Sequence, residues 1–252
     1  MAPGPFARFL SRLSVRDTGE PASSNRASSF HLIWTLPGVP LDEVSATFEL
    51  LTEPAVPRLY FWALQVSFVD QHGTEGGGAH LGLQWHPSYP DNRAVNWGGY
   101  GESGELEGSA SLLPSTLGNV NTRDYPWETG EPYRFTISAA EPGRWRGTVT
   151  NLATSEPTIV RDLFSAGTHL AGTMVWTEAF CRCDHPTVAA RWSDFRARAG
   201  IADIPVESVR VNYQSLAQGG CTNTTVHRDE HGFVQITNAP RDVPQGRVIP
   251  VV

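Results

Sequence analysis

Lysine is absent from this 252-residue chain; all 19 basic residues are arginine. That removes Schiff-base chemistry, a P-loop lysine and pyridoxal phosphate from the functions open to it. A basic excess is also missing, because 26 acidic residues give a formal charge of −7. Nucleic-acid surfaces need a basic stripe, so a nucleic-acid partner is excluded. No apolar run approaches the roughly 18 residues of a membrane span. Cysteine is scarce at three, an odd number that makes no disulfide framework at this length. The N-terminal stretch MAPGPFARFLSRLSVRD has arginines but neither a continuous apolar segment nor a small-residue cleavage site. The expectation is a cytoplasmic protein.

What is present is mostly strand signal. Phe6, Leu10 and Leu13 share one helical face, which predicts a short N-terminal helix, and Asp17 to Ser29 reads as a polar arm. From Phe30 onward, runs such as FHLIWTL, VSATFELL and RLYFWALQVSFVD are rich in aromatic and β-branched residues. Glu141-Pro142-Gly143 marks a hairpin turn. Val188, Trp192 and Phe195 recur about one turn apart and predict a helix over 186–199. These signals predict an all-β fold, a single antiparallel sandwich over 30–240, preceded by an arm (1–29) and followed by an irregular tail (241–252).

The stretch EGGGAHLGLQWHPSYPDNRAVNWGGY (75–100) is the most informative. Its glycines predict a tight turn. Ala79 to His86 then alternates, with Ala79, Leu81, Leu83 and Trp85 facing a core and His80, Gln84 and His86 on the other side around Gly82. Trp97, Tyr100, Asn121 and Trp127 follow nearby. Aromatic faces and planar amides are the components of sugar sites, although tryptophans in a sandwich usually belong to the core.

Glu178 sits mid-strand in MVWTEAF, on the side of Met174, Trp176 and Phe180. A carboxylate among apolar neighbours has a raised pKa and is either catalytic or part of a structural pair. Glu105 and Glu107 could face each other as glycosidase carboxylates do, but their glycine-rich surroundings read as a solvated loop. Gln84-Trp85-His86 is similar to the Gln-x-His strand of alginate-lyase-type jelly rolls, without the accompanying tyrosine–lysine pattern. Cys181, Cys183, His185 and Cys221 offer zinc-ligand chemistry. The Cys-x-Cys spacing suits a strand better than a zinc turn, and favours buried thiols or a Cys183–Cys221 or Cys181–Cys221 crosslink if the protein is exported. No metal and no cofactor is expected. The literal G-x-G-x-x-G at 99–104 lacks a following helix and carries glutamates that repel pyrophosphate.

Gly82-Leu83-Gln84, Tyr125-Pro126-Trp127 with Gly130 and Tyr133, and Trp176 to Phe180 resemble an uncharacterised bacterial family, a domain of unknown function with a concanavalin A-like jelly roll. The resemblance implies two curved sheets whose concave side holds sugars in many relatives, and it transfers no catalytic residue. The leading expectation is binding of a carbohydrate or other polyhydroxylated small molecule on the concave face. Gln84, Trp97, Tyr100, Asn121 and Trp127 are candidate contacts there. One alternative is a glycan-cleaving enzyme using Glu178 with His80 or His86. A second is a cyclase or isomerase with an acid in an apolar pocket, and a third is a non-catalytic partner-binding protein. Oligomeric state is not encoded in any of these signals.

Overall fold

Two-residue alternation organises the chain from Ser28 onward, and the computed structural model describes residues 15–251. The expected helix through Phe6, Leu10 and Leu13 lies outside the described residues. In chain order the strands are β1 (Ser28–Thr35), β2 (Glu43–Thr52), β3 (Tyr60–Val69), β4 (Glu75–Trp85), β5 (Arg93–Gly101), β6 (Gly104–Glu105), β7 (Thr122–Asp124), β8 (Pro132–Glu141) and β9 (Arg144–Asn151). They continue with β10 (Glu156–Phe164), β11 (His169–Ala179), β12 (Ala189–Ala199), β13 (Ala202–Ile204), β14 (Ser208–Tyr213), β15 (Thr225–Arg228), β16 (Phe233–Ile236) and β17 (Val248–Pro250). All pair antiparallel. One sheet has the order β17-β14-β1-β11-β3-β4-β5-β6, with β7 also on β5; the other runs β10-β9-β8-β2-β12-β16-β15, with β13 on β12. The sandwich expected from the sequence is the fold observed.

The core lies between the sheets and is dominated by aromatic rings. Phe48 contacts Trp62, Phe135 and Trp192 at centroid distances of 5.1–5.6 Å. Phe68 stacks on Trp145, whose indole N–H donates to the Gly167 carbonyl. Each ring buries a large apolar area, and truncating one to alanine costs about 3–5 kcal/mol.

Two sequence expectations are corrected here. Residues 189–199 form a strand and not a helix. Val188, Ala190 and Trp192 point inward with strand parity, a bulge follows at Asp194 (φ 50°), and Phe195 and Ala197 then resume inward. The bulge resets the alternation and mimics a helical spacing. The glycines after Glu75 do not turn the chain but begin β4. The turn precedes them, where the Asp70 carboxylate accepts the His72 and Thr74 backbone N–H groups. Gly77 (φ 109°) is required because a Cβ there would lie 2.5 Å from the Tyr100 carbonyl oxygen. In the tail, Val248–Pro250 adds an edge strand to β14. Among the described residues, no helix is long and apolar enough to cross a membrane.

Candidate functional site

Antiparallel partners in register point to the same side of a sheet, and this rule sorts the candidate residues. Leu81 pairs with Trp97, so Trp97 follows Leu81 into the core, where it is fully buried and donates to the Trp145 carbonyl. Trp127 is also fully buried and donates to the Gln84 carbonyl, with the Arg93 guanidinium over its ring. Neither tryptophan can meet a ligand. Gln84 does face outward, but Tyr89 covers it and donates its hydroxyl to the amide oxygen at 3.0 Å. His86 closes a turn, its Nδ1 accepting the Ser88 backbone N–H. Tyr100 stands exposed opposite Gly78, and Asn121 packs against Gly98 and donates to Glu105. None of these six lines the outward pocket.

His80 and Glu178 do. They share a cavity of about 230 Å³ on the outward face of the nine-stranded sheet with Ser29, His31, Phe61, Gln65 and Trp176. Strand order places them. On β1, Phe30, Leu32 and Trp34 face the core, which turns Ser29 and His31 outward. Ser29 pairs with Glu178 and His31 with Trp176, while Phe61 pairs with Glu178 from the other side and Gln65 pairs with His80. His31 is therefore a diagonal neighbour of Glu178, with Cα atoms about 7–8 Å apart. His80 stands four residues further along the sheet, about 13 Å in the strand direction. As a partner for Glu178, His31 is better placed than His80 or His86.

Three rings form the apolar side of the pocket. Trp176 meets Phe61 edge-on at 4.9 Å, and His80 lies 5.3 Å from Phe61 and 5.8 Å from Trp176. The Trp176 indole N–H donates to Gln65 Oε1 at 2.8 Å. No described residue bonds either ring nitrogen of His80.

Burial governs the charge states. It holds the Glu178 carboxyl above the usual carboxylate range, against the opposing pull of a hydrogen bond from Asn25. It pushes His80 down to about 4. His31 is lowered by the same cause, partly offset by a backbone hydrogen bond with Asn212. The pocket thus favours a neutral acid beside neutral imidazoles.

Asn25 arrives on a strap. Arg16 and Thr222 exchange hydrogen bonds, Cys183 donates its N–H to the Gly19 carbonyl, and Ala22 donates to the Gly219 carbonyl. The two loops that hold the strap are joined by the Cys183–Cys221 disulfide. The strap then delivers Asn25 Nδ2 to Glu178 Oε1 at 3.0 Å. Cys181 is buried as a free thiol against the Tyr60 hydroxyl. Of the two crosslinks considered from the sequence, Cys183–Cys221 is present. Among the described residues no group of three or more potential metal ligands converges.

Ser29, His31, Gln65, Phe61 and Trp176 were missing from the sequence-derived site. The alternation of FHLIWTL and RLYFWALQVSFVD already turns His31 and Gln65 away from the core. Only the order β1-β11-β3-β4 brings them to Glu178.

No family model and no curated protein matches the chain. Solved structures do. The chain is similar to scytalido-glutamic peptidase with a peptide-based transition-state analogue, at 12% identity over 87% of this chain and 98% of that one, with a TM-score of 0.46. It is similar to SCP-B, a member of the eqolisin family of peptidases in complex with the tripeptide Ala-Ile-His, at 12% identity, the same coverages and a TM-score of 0.43. Peanut lectin with a nine-residue peptide matches at 13% identity over 64% of this chain and 85% of that one, with a TM-score of 0.27. Chemistry does not transfer across likenesses this remote.

Proposed function

We propose that the outward pocket binds a hydroxyl-bearing small molecule the size of one sugar unit. The observation supporting this is the convergence of Ser29, His31, Gln65, His80 and Glu178 on one cavity with hydrogen-bonding capacity left over. The second carboxyl oxygen of Glu178, the amide nitrogen of Gln65 and the His80 ring have no partner among the described residues. Hydroxyls both donate and accept, so they suit such a mixture. A volume of about 230 Å³ falls below the roughly 300–1,000 Å³ of drug-sized sites, which fits a single ring. Trp176 and Phe61 pack on each other and leave no stacking platform, so hydrogen bonds would carry the affinity. The Cys183–Cys221 crosslink fits a protein working in an oxidising compartment. Calorimetric titration with neutral monosaccharides tests the reading. Binding by the wild type that is lost in His80→Phe supports it, and no heat from any sugar contradicts it.

A second reading is hydrolysis, favoured by the raised Glu178 pKa beside the lowered His31 pKa. A protonated carboxyl and a neutral imidazole at diagonal positions can act as acid and base toward a water attacking a glycosidic or amide bond. Incubation with nitrophenyl glycosides and a mixed peptide pool at pH 4–6 would reveal turnover. Glu178→Gln is expected to abolish it with the melting temperature nearly unchanged. A large loss of melting temperature instead would make Glu178 a structural residue.

A further inference from the structure

Several carboxylates of low exposure in this chain have a guanidinium beside them. Arg146 bonds Asp162 at 2.9 Å, and Arg191 bonds Glu49 at 2.6 Å and Asp229 at 2.9 Å. Glu178 is half-buried too, yet among the described residues no arginine pairs with it. Its Oε1 accepts from the Asn25 amide at 3.0 Å, and its other oxygen accepts from no described residue. The side chains facing it are Ser29 and His31 from β1, Phe61 and Gln65 from β3, His80 from β4 and Asn25 from the strap. Only the two imidazoles among these can carry positive charge, and burial disfavours it on both. The acid has no counter-charge, and its burial goes uncompensated by any cation.

A cationic ligand supplies what the chain does not. Ser29 is the register partner of Glu178, so their Cβ atoms stand about 4.5–5.5 Å apart. The Ser29 hydroxyl donates to the Gln214 amide oxygen at 3.5 Å and keeps its lone pairs for an incoming donor. We infer that the Ser29–Glu178 end of the pocket receives a primary ammonium group, and that the ligand is an amino sugar. This deepens the sugar-binding reading and rests on it. A hydroxyl can donate to the same two oxygens but leaves the carboxylate without a counter-charge. An ammonium brings three donors and the missing charge together. A uronate would add a second negative charge to a cavity that no arginine lines. Ring hydroxyls are left to the far end, where Gln65 gives its oxygen to the Trp176 indole and keeps its NH₂ group to donate beside His80. Pairing with the ammonium favours the ionised carboxylate, so binding releases protons from Glu178 to solvent.

The test is calorimetric titration of the full chain with glucosamine, glucose, glucuronate and butylamine. Glucosamine is expected to bind at least about tenfold more tightly than glucose, the contribution of one hydrogen bond between charged groups, and glucuronate least tightly. In Glu178→Gln an accepting oxygen stays and the charge goes, so the ratio of glucosamine to glucose should fall to near one, with the melting temperature preserved. Titration in buffers of different ionisation heat should show protons released with glucosamine and none with glucose. In the wild type the preference should shrink as pH falls and Glu178 takes up its proton. His31 and His80 also gain protons on acidification and repel the ammonium in the same direction, so the Glu178→Gln comparison assigns the effect to the acid. Equal binding of glucose and glucosamine to the wild type overturns this inference while sugar binding stands. So does an ammonium preference that survives in Glu178→Gln, or glucosamine binding with no proton release. Butylamine binding as tightly as glucosamine overturns it in favour of a lysine-type side chain. If no sugar binds at all, both this inference and the reading beneath it fall.

Discussion

The two sheets turn very different faces to the outside. On the eight-stranded sheet, outward positions are filled by ion pairs. Arg191 bonds Glu49 at 2.6 Å and Asp229 at 2.9 Å, Arg146 holds Asp162 at 2.9 Å, and Asp194 sits between Arg134 and Arg196. On the nine-stranded sheet the outward pocket has one acid, two imidazoles, an amide and two large rings, with no arginine among them. Strand alternation fixes which side chains point outward on both faces and says nothing about their partners. Where charges pair, each carboxylate already has a guanidinium within hydrogen-bonding reach. Where an acid is half-buried without a cation, its proton becomes available for binding or chemistry.

The largest expected effect comes from His80. Its folded pKa near 4 lies below the unfolded value of 6.5, so the unfolded chain takes up a proton first as pH falls. Stability is full above about pH 6.5 and declines until about pH 4, by about 2 kcal/mol once partial solvent contact is allowed for. Denaturant melts across this range should show the decline in the wild type and a flatter profile in His80→Gln. An unchanged slope in the variant would mean that His80 is solvated like any surface histidine.

On the paired face, Arg191→Met leaves Glu49 and Asp229 without their cation. A loss of about 1–2 kcal/mol is expected, and it should shrink in high salt. Chemical melts at low and high ionic strength read it. A loss that does not respond to salt would assign Arg191 a packing role and blur the contrast between the faces.

Smaller effects are expected at Glu178. Its raised pKa gives a stability contribution that is present below about pH 4.5 and lost as pH rises through the folded value. Glu178→Gln should therefore gain on the wild type as pH rises, by under about 1 kcal/mol. Asn25→Ala removes the hydrogen bond that opposes the shift, so the Glu178 pKa should climb further while stability changes least of all. An unchanged pKa would show that the strap does not reach the acid in solution.

The fold was largely legible in the sequence, because period-two hydrophobicity is a local property. It misled only where geometry broke the period. The bulge at Asp194 placed Val188, Trp192 and Phe195 at a helix-like spacing. The site was less legible. Trp97 is about as close to His80 in the chain as Gln65 is, yet it faces the core, as Trp127 also does, since sequence proximity does not specify a side of the sheet. His80 and Glu178 could be picked out as polar groups within strands; Gln65 sits on the neighbouring strand of the same hairpin as His80, whereas His31 and Glu178 come from strands far from both in sequence. Their meeting depends on strand order and register, which are set by long-range pairing and carry no local signature.

Burial in the outward pocket shifts Glu178, His31 and His80 toward their uncharged forms. An NMR titration of the Glu178 carboxyl carbon and the His80 ring signals tests it most directly. A Glu178 midpoint above 4.5 and a His80 midpoint near 4 are expected. Midpoints at the ordinary values for both groups would contradict it and reduce this pocket to a solvated dent in the sheet.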